Sequence, residues 1–384
     1  MSTDEPVTPD DTTPPPEATQ ADKAAQPDEP ESAPAQEKPQ KSGFGKQQII
    51  GTIVTLVVVV FVFAVVFPQF ADYDEAWAAI QTMSTGALVA LVVATIVVIL
   101  VYELPYQAAL PGLKFRPAFV IRQTSFMISN VIPMGGAIGL GVQFGMLGSY
   151  GYGPAPATAT IGITSVWNTF ITLALPVLGL VALAVVGELN AMAAVIAVVG
   201  VIAIVVGVVL FALILKSEDN ARKLGAWSDR AVAWAAGLIN KEVDVSFDQG
   251  LVDFRNSIVE VVSKRWGLIT GANLLQQLTQ FSVFFIAILG IQGGTGEIGL
   301  AGAFAAFAFG RIATFIPIPP GGLGTTDAIM TGALTAFGMA NGDALAAVLI
   351  WRALTYFPQV FIGIGTLLYW RHEQRKKQAA PNLG

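Results

Sequence analysis

Apolar runs long enough to cross a lipid bilayer occupy residues 49–67, 86–104, 157–186, 191–215, 266–290 and 344–370. A helix needs about 20 such residues to span the hydrocarbon core. Inside lipid, every backbone N–H and C=O must find a partner within the chain, which leaves helices for runs of this kind. The chain therefore reads as an all-α polytopic membrane protein. Its composition agrees, with 54% of residues hydrophobic and 12% charged, unlike an ordinary soluble domain.

The same composition narrows the chemistry. Cysteine is absent and the single histidine, His372, lies in the C-terminal tail. No disulfide framework, thiolate metal site or Ser-His-Asp triad is expected in the membrane, and neither is a metal or cofactor. Residues 1–46 are acidic, rich in Pro and Ala and poor in aliphatic side chains. Such a segment cannot bury a core and reads as a disordered cytoplasmic tail. With the first apolar run starting only at Ile49, a signal peptide is not expected.

Charges between the runs set the orientation. Lys38, Lys41 and Lys46 precede the first run and place it with the N-terminus inside. Asp72, Asp74 and Glu75 follow it in a loop free of Lys and Arg, as an outer loop would be. Lys114, Arg116 and Arg122 mark the next inner loop, Glu188 the next outer one. Residues 216–265 are rich in Lys and Arg and read as inside; 291–297 lack them; the basic tail 372–384 is inside again. Both termini are thus expected in the cytoplasm of a cell with a bacterial-type plasma membrane. Within 216–265, Leu224, Trp227, Ala231, Trp234 and Leu238 share one helical stripe, the pattern of a helix lying in the interface or packing beneath the bundle.

Two apolar regions, 118–147 and 300–337, are interrupted, and the interruptions resemble each other. "IPMGG" begins at Ile132 and "IPPGG" at Ile318. Pro133 corresponds to Pro319, and Gly135 and Gly136 to Gly321 and Gly322. Pro320 and Gly324 extend the second break. Proline lacks an N–H and pushes the preceding residue out of helical geometry, while glycine permits the turn. After each break come a second apolar run, a small-residue turn and a full span. With the span that precedes each, the two repeats cover about 86–186 and 266–370. The first broken region enters from inside, after Arg122, and ends outside at Glu188; the second enters from outside, after Glu297, and ends inside at Arg371, so each crosses an odd number of times. A re-entrant pair of half-helices plus one span satisfies this, as do three thin tilted crossings. Either arrangement makes an inverted-topology repeat, with broken or re-entrant half-helices of the kind that meet at a transporter midplane.

Arg311, Asp327 and Arg352 are charges at membrane depth, where an arginine costs roughly 2.5–3.5 kcal/mol on insertion scales. Arg352 lies deep in the last run. Arg311 ends a half-helix, where the dipole favours a cation, and Asp327 begins one, where a carboxylate caps. An ion pair between Asp327 and either arginine still leaves one cation. Such a site suits an anionic group, with Gln276 and Gln280 on one helix face among the amides that line a path. For these and for Gln123, Asn130, Gln143, Asn168 and Gln277, a plain helix–helix hydrogen bond is the competing reading. Glu103, at the end of the second run, reads as an interfacial anchor.

"PIPPGGLGTTDAIM", followed by "ALAAVLIWRALTYFPQVFIGIG", resembles the signature of the lysylphosphatidylglycerol synthase transmembrane-region family of flippase-like membrane proteins. The family pattern falls on Pro320 to Gly324, Asp327, Arg352 and Pro358, and Arg311 fits upstream. Asp327 stands where the family usually has Glu. The first copy lacks the Glu and Arg that many relatives carry there, so the first half is expected to bring no charge to the site. The short tail after Arg371 leaves no room for the family's soluble aminoacyl-transferase domain. The resemblance thus implies the lipid-translocating half alone: a flippase or scramblase for an anionic or aminoacylated phospholipid or a polyprenyl-phosphate carrier. Competing readings are a non-transporting lipid binder or scaffold for a cell-envelope enzyme and, with less support, an enzyme resting on Asp327. Membrane lipids are the expected partners; nucleic acid is not.

Overall fold

A computed structural model describes residues 73–132, 135–187, 191–237, 247–293, 298–315, 322 and 324–379. Segment 1–46, the run at 49–67, Pro133, Pro319, Pro320 and Gly321 lie outside the described residues. All regular structure among the described residues is helical. In order, the helices are α1 (Tyr73–Gln81), α2 (Thr85–Val101), α3 (Leu104–Ala109), α4 (Phe115–Val131), α5 (Gly135–Ser149) and α6 (Pro154–Val185). They continue with α7 (Ala191–Lys216), α8 (Glu218–Gly237), α9 (Phe247–Ile291), α10 (Leu300–Ile312), α11 (Thr325–Ala336) and α12 (Asn341–Ala379).

Local sequence explains where these helices start and break. Ser84 caps α2, its Oγ accepting the Ala87 N–H at 3.2 Å. Pro105 stands in the first turn of α3, where a missing N–H costs nothing, so the chain resumes its helix just past Glu103. Pro154 opens α6 in the same way. Among the described residues, five helical segments are long and apolar enough to cross a membrane: Thr85–Ala109, Pro154–Val185, Val198–Lys216, Val252–Ile291 and Asn341–Lys377. On α7, Val198, Ile202, Val205, Val206 and Val209 are all exposed, a surface that only hydrocarbon can cover. The protein is a multi-pass membrane protein.

The interrupted regions form antiparallel pairs of short helices. At 17, 15, 13 and 12 residues, α4, α5, α10 and α11 reach about 18–25 Å, short of the roughly 30 Å hydrocarbon core. Gln143 on α5 donates to Ser125 on α4, and Gly135 lies against the Ile128 carbonyl. Gly310 on α10 lies against Met330 on α11, and Phe337, just past α11, covers Gly302 near the start of α10. Arg116 and Ser149, at the open end of the first pair, both reach the end of α12, at Tyr369 and Trp370. The open end of the second pair, with Ile298, Ala303, Leu334 and Met339, shares a core with Ala344 near the start of α12.

The core forms where α9 to α12 meet. Phe281, Phe284, Phe307 and Trp351 pack with ring centroids 5.6–6.2 Å apart, within the range of favourable aromatic pairs. The Trp351 Nε1–H donates to the Gln280 carbonyl at 3.2 Å. Helix α12 runs antiparallel along α4, held by Thr124–Thr366 at 2.9 Å and by the Tyr356 hydroxyl on the Asn130 carbonyl at 2.7 Å. Between those points Gly363 brings α12 onto Met127 and the Gln123 carbonyl, the small-residue packing that membrane helices use.

Four features bear on the sequence reading. The acidic loop after residue 72 contains α1, because Ala79 finds a place against Leu345 and Ala346. The amphipathic stretch from Phe247 and the span 266–290 are one helix of 45 residues, about 67 Å long. Gly135 and Gly136 sit in the first turn of α5 rather than in the break. Gly135 is needed there for close approach, not for turn geometry. On α8, Leu224 of the expected stripe is half-buried and Trp227 is 62% exposed, while Leu238 lies outside the described residues.

A side chain at Gly363 would collide with α4, whereas Gly365 faces open space. Gly363→Leu is therefore expected to destabilise the protein by about 1–3 kcal/mol, as overpacking does, and Gly365→Leu to leave it unchanged. Thermal melts of the purified protein in detergent decide between these outcomes.

Candidate functional site

A cavity of about 720 Å³ opens between the tips of the two short-helix pairs and helices α6, α9 and α12. Its lining is unusually polar for this depth. Guanidinium groups come from Arg122 on α4, Arg311 on α10 and Arg352 on α12; amides come from Asn168, Asn273, Gln276, Gln280 and Gln359. Arg311 and Arg352 each lie about 16 Å along the helix from Leu300 and Asn341, the residues that begin α10 and α12. That is close to half the thickness of a hydrocarbon core.

Asp327 organises one side. Its carboxylate is fully buried. Oδ2 accepts the Gly324 N–H at 2.9 Å; Oδ1 accepts Arg352 Nε at 2.8 Å and lies 2.7 Å from Nη2. The carboxylate thus caps α11 and fixes the guanidinium at once. Gly322 and Gly324 adopt φ of 63° and 85°, a left-handed conformation that glycine enters without steric cost. At Gly322 a Cβ would also stand 2.6 Å from Thr326 Oγ1. Arg352 also approaches the Gly322 carbonyl, with Nη2 at 3.5 Å. Of the two arginines considered as partners for Asp327, Arg352 takes the pair.

Arg311 sits in the last turn of α10, where the helix dipole favours its charge. Its guanidinium lies 6.0 Å from the Phe307 ring. Its Nε is buried and has no hydrogen-bond partner among the described residues. Gln276 and Gln280 are buried and both line the cavity, as do Asn130, Gln143 and Asn168. Gln123 and Gln277 are buried but do not line it.

Glu103 is no interfacial anchor. It is fully buried at the α2–α3 break, and its Oε1 accepts from Gln123 Nε2 at 2.9 Å. Nor is the first half without charge at the cavity. Arg122, which the loop-charge argument assigned to an inner loop, lines it from α4. Its guanidinium lies 4.2 Å from the Tyr102 ring and 4.8 Å from the Tyr106 ring, the geometry of cation–π contacts. Asn273 and Gln359 were also missed. Their signal was in the sequence: Asn273, Gln276 and Gln280, and Arg352, Thr355 and Gln359, repeat the i, i+3, i+7 spacing of one helix face.

The arrangement suits the binding of an anion by planar donors in a sheltered polar space. Its lining is made of donors and amides, and the carboxylate beside it, Asp327, is already tied into an ion pair and a helix cap. Residues 48–363 match the family described as the lysylphosphatidylglycerol synthase TM region. No curated protein matches the chain. The chain belongs to that family.

Breaking a buried ion pair from one side costs about 3–5 kcal/mol, whereas replacing both partners with apolar groups is often nearly neutral. Asp327→Ala is expected to fall in that range and Asp327→Asn to cost less, because the amide oxygen still accepts the Gly324 N–H. Asp327→Leu with Arg352→Met is expected to recover much of the loss. Thermal melts of the single and double variants measure the coupling.

Proposed function

We propose that this member of the lysylphosphatidylglycerol synthase TM region family carries an anionic lipid head group between leaflets, as a flippase or scramblase. The cargo is an anionic or aminoacylated phospholipid or a polyprenyl-phosphate carrier. The observation that carries this reading is the cavity itself, with Arg122, Arg311 and Arg352 around one polar space inside an apolar bundle. Arginine in a membrane helix is costly and marks a substrate path by default.

The helix arrangement supports the same reading. The open end of α4–α5 meets the end of α12, and the open end of α10–α11 meets its beginning. In this reading the two pairs are re-entrant, enter from opposite sides, and make the inverted-topology repeat of a transporter, with their breaks at the cavity. The loop charges then place both termini in the cytoplasm of a plasma membrane. The role is carriage rather than bond-making: Asp327 is held by Arg352 and the Gly324 N–H and is not poised to transfer a proton.

Reconstitution into vesicles of phosphatidylcholine with a fluorescent anionic lipid tests the proposal. Wild-type protein is expected to speed leaflet exchange of the anionic lipid over that of the zwitterionic one. Arg311→Gln is expected to slow it by about tenfold, the scale of one lost charge-assisted hydrogen bond. Tight lipid retention without exchange would overturn transport and leave a lipid binder or envelope scaffold in its place.

A further inference from the structure

We infer that Arg122 and Arg311 together form a site for a terminal phosphate or diphosphate, in preference to the phosphodiester of an ordinary phospholipid. This rests on the anion-binding reading of the cavity and names the head group that reading leaves open. The argument is a count of donors. Arg352 is satisfied by Asp327. Arg122 and Arg311 make no ion pair among the described residues. The Nε of each is buried without a hydrogen-bond partner among them. Both line the same cavity, and Tyr102 lies within electrostatic reach of both guanidinium groups. Glu103 lies within electrostatic reach of Arg122 but makes no ion pair with it; it hydrogen-bonds Gln123 and does not line the cavity.

Two guanidinium groups from opposite halves of the molecule thus line one cavity, each with a buried Nε that has no hydrogen-bond partner among the described residues. A phosphodiester offers a single negative charge and two free oxygens, which one fork occupies. A phosphomonoester carries a charge of about −1.5 to −2 at neutral pH and three strong acceptor oxygens, and a diphosphate carries more. Those groups carry the charge and the acceptor oxygens to engage both arginines at once.

Binding to the purified full chain in mixed micelles tests this. The probes are phosphatidic acid, a prenyl diphosphate and phosphatidylglycerol, each competing with one fluorescent anionic lipid. Phosphatidic acid and the prenyl diphosphate are expected to bind about tenfold more tightly than phosphatidylglycerol, the effect of an added charge-assisted hydrogen bond. Arg122→Gln is expected to abolish that preference by weakening phosphatidic acid and the prenyl diphosphate more than phosphatidylglycerol. Arg122→Lys, which keeps the charge and loses the fork, retains part of the preference and shows that the fold tolerates change there. Inorganic pyrophosphate is added as a further competitor. Displacement of the lipid through Arg122 marks a soluble phosphate as a source of the same chemistry, and no displacement marks the lipid alone. Equal affinities in the wild type, or an unchanged preference in Arg122→Gln, overturn the inference and leave the anion-binding reading intact. Absence of binding by every probe, together with absent leaflet exchange, overturns that reading itself.

Discussion

Arg352 and Asp327 are a bond between two helices and also the condition for the break between them. An arginine about 16 Å into α12 is costly at membrane depth, and its stability depends on a carboxylate brought to it. Asp327 arrives at the first turn of α11, a position that exists only because the chain stops being helical just before it. Gly322 and Gly324 supply the left-handed backbone, and the Gly324 N–H completes the carboxylate's hydrogen bonds. The interrupted helix and the buried charge each make the other tolerable. The cavity follows, because short helices leave open the space that full spans would have filled.

Around that point the molecule uses two kinds of contact. Aromatic rings on α9, α10 and α12 make a rigid apolar block. Small residues at Gly135, Gly310 and Gly363 let helices approach until side chain meets backbone. Without a hydrophobic drive between helices in lipid, this close packing carries much of the association. The polar lining is hung on the faces these contacts leave free, so the amides of α9 and the arginines of α10 and α12 are held from behind.

The fold was legible to the extent that lipid forced it. Apolar run lengths located α2, α6 and α7 within a few residues, since a span has little freedom of length. The breaks after α4 and before α11 were visible because proline and glycine act locally. The helix α1 was not, because a short amphipathic segment declares itself only through the partner it packs on. The site was half legible. Arg311, Asp327 and Arg352 stood out as charges in apolar runs, and Gln276 and Gln280 as a pair on one face. Arg122 was hidden by its neighbours: with Lys114 and Arg116 close by it reads as one more loop cation. What distinguishes it is that α4 starts at Phe115 and carries it inward. Glu103 misled because its place at the end of an apolar run suggested the interface, whereas its side chain meets Gln123 of α4.

The length of α9 has a mechanical corollary. At about 67 Å it is more than twice as long as a bilayer's oily interior is thick, and it contains no proline. Near its start the Arg255 Nε holds the Leu215 carbonyl of the neighbouring α7 at 3.2 Å; farther along it presents Gln276 and Gln280 to the cavity. One unbroken helix therefore joins the contact at Arg255 to the amides of the cavity, with Gly267 and Gly271 between them as the places where it bends most easily.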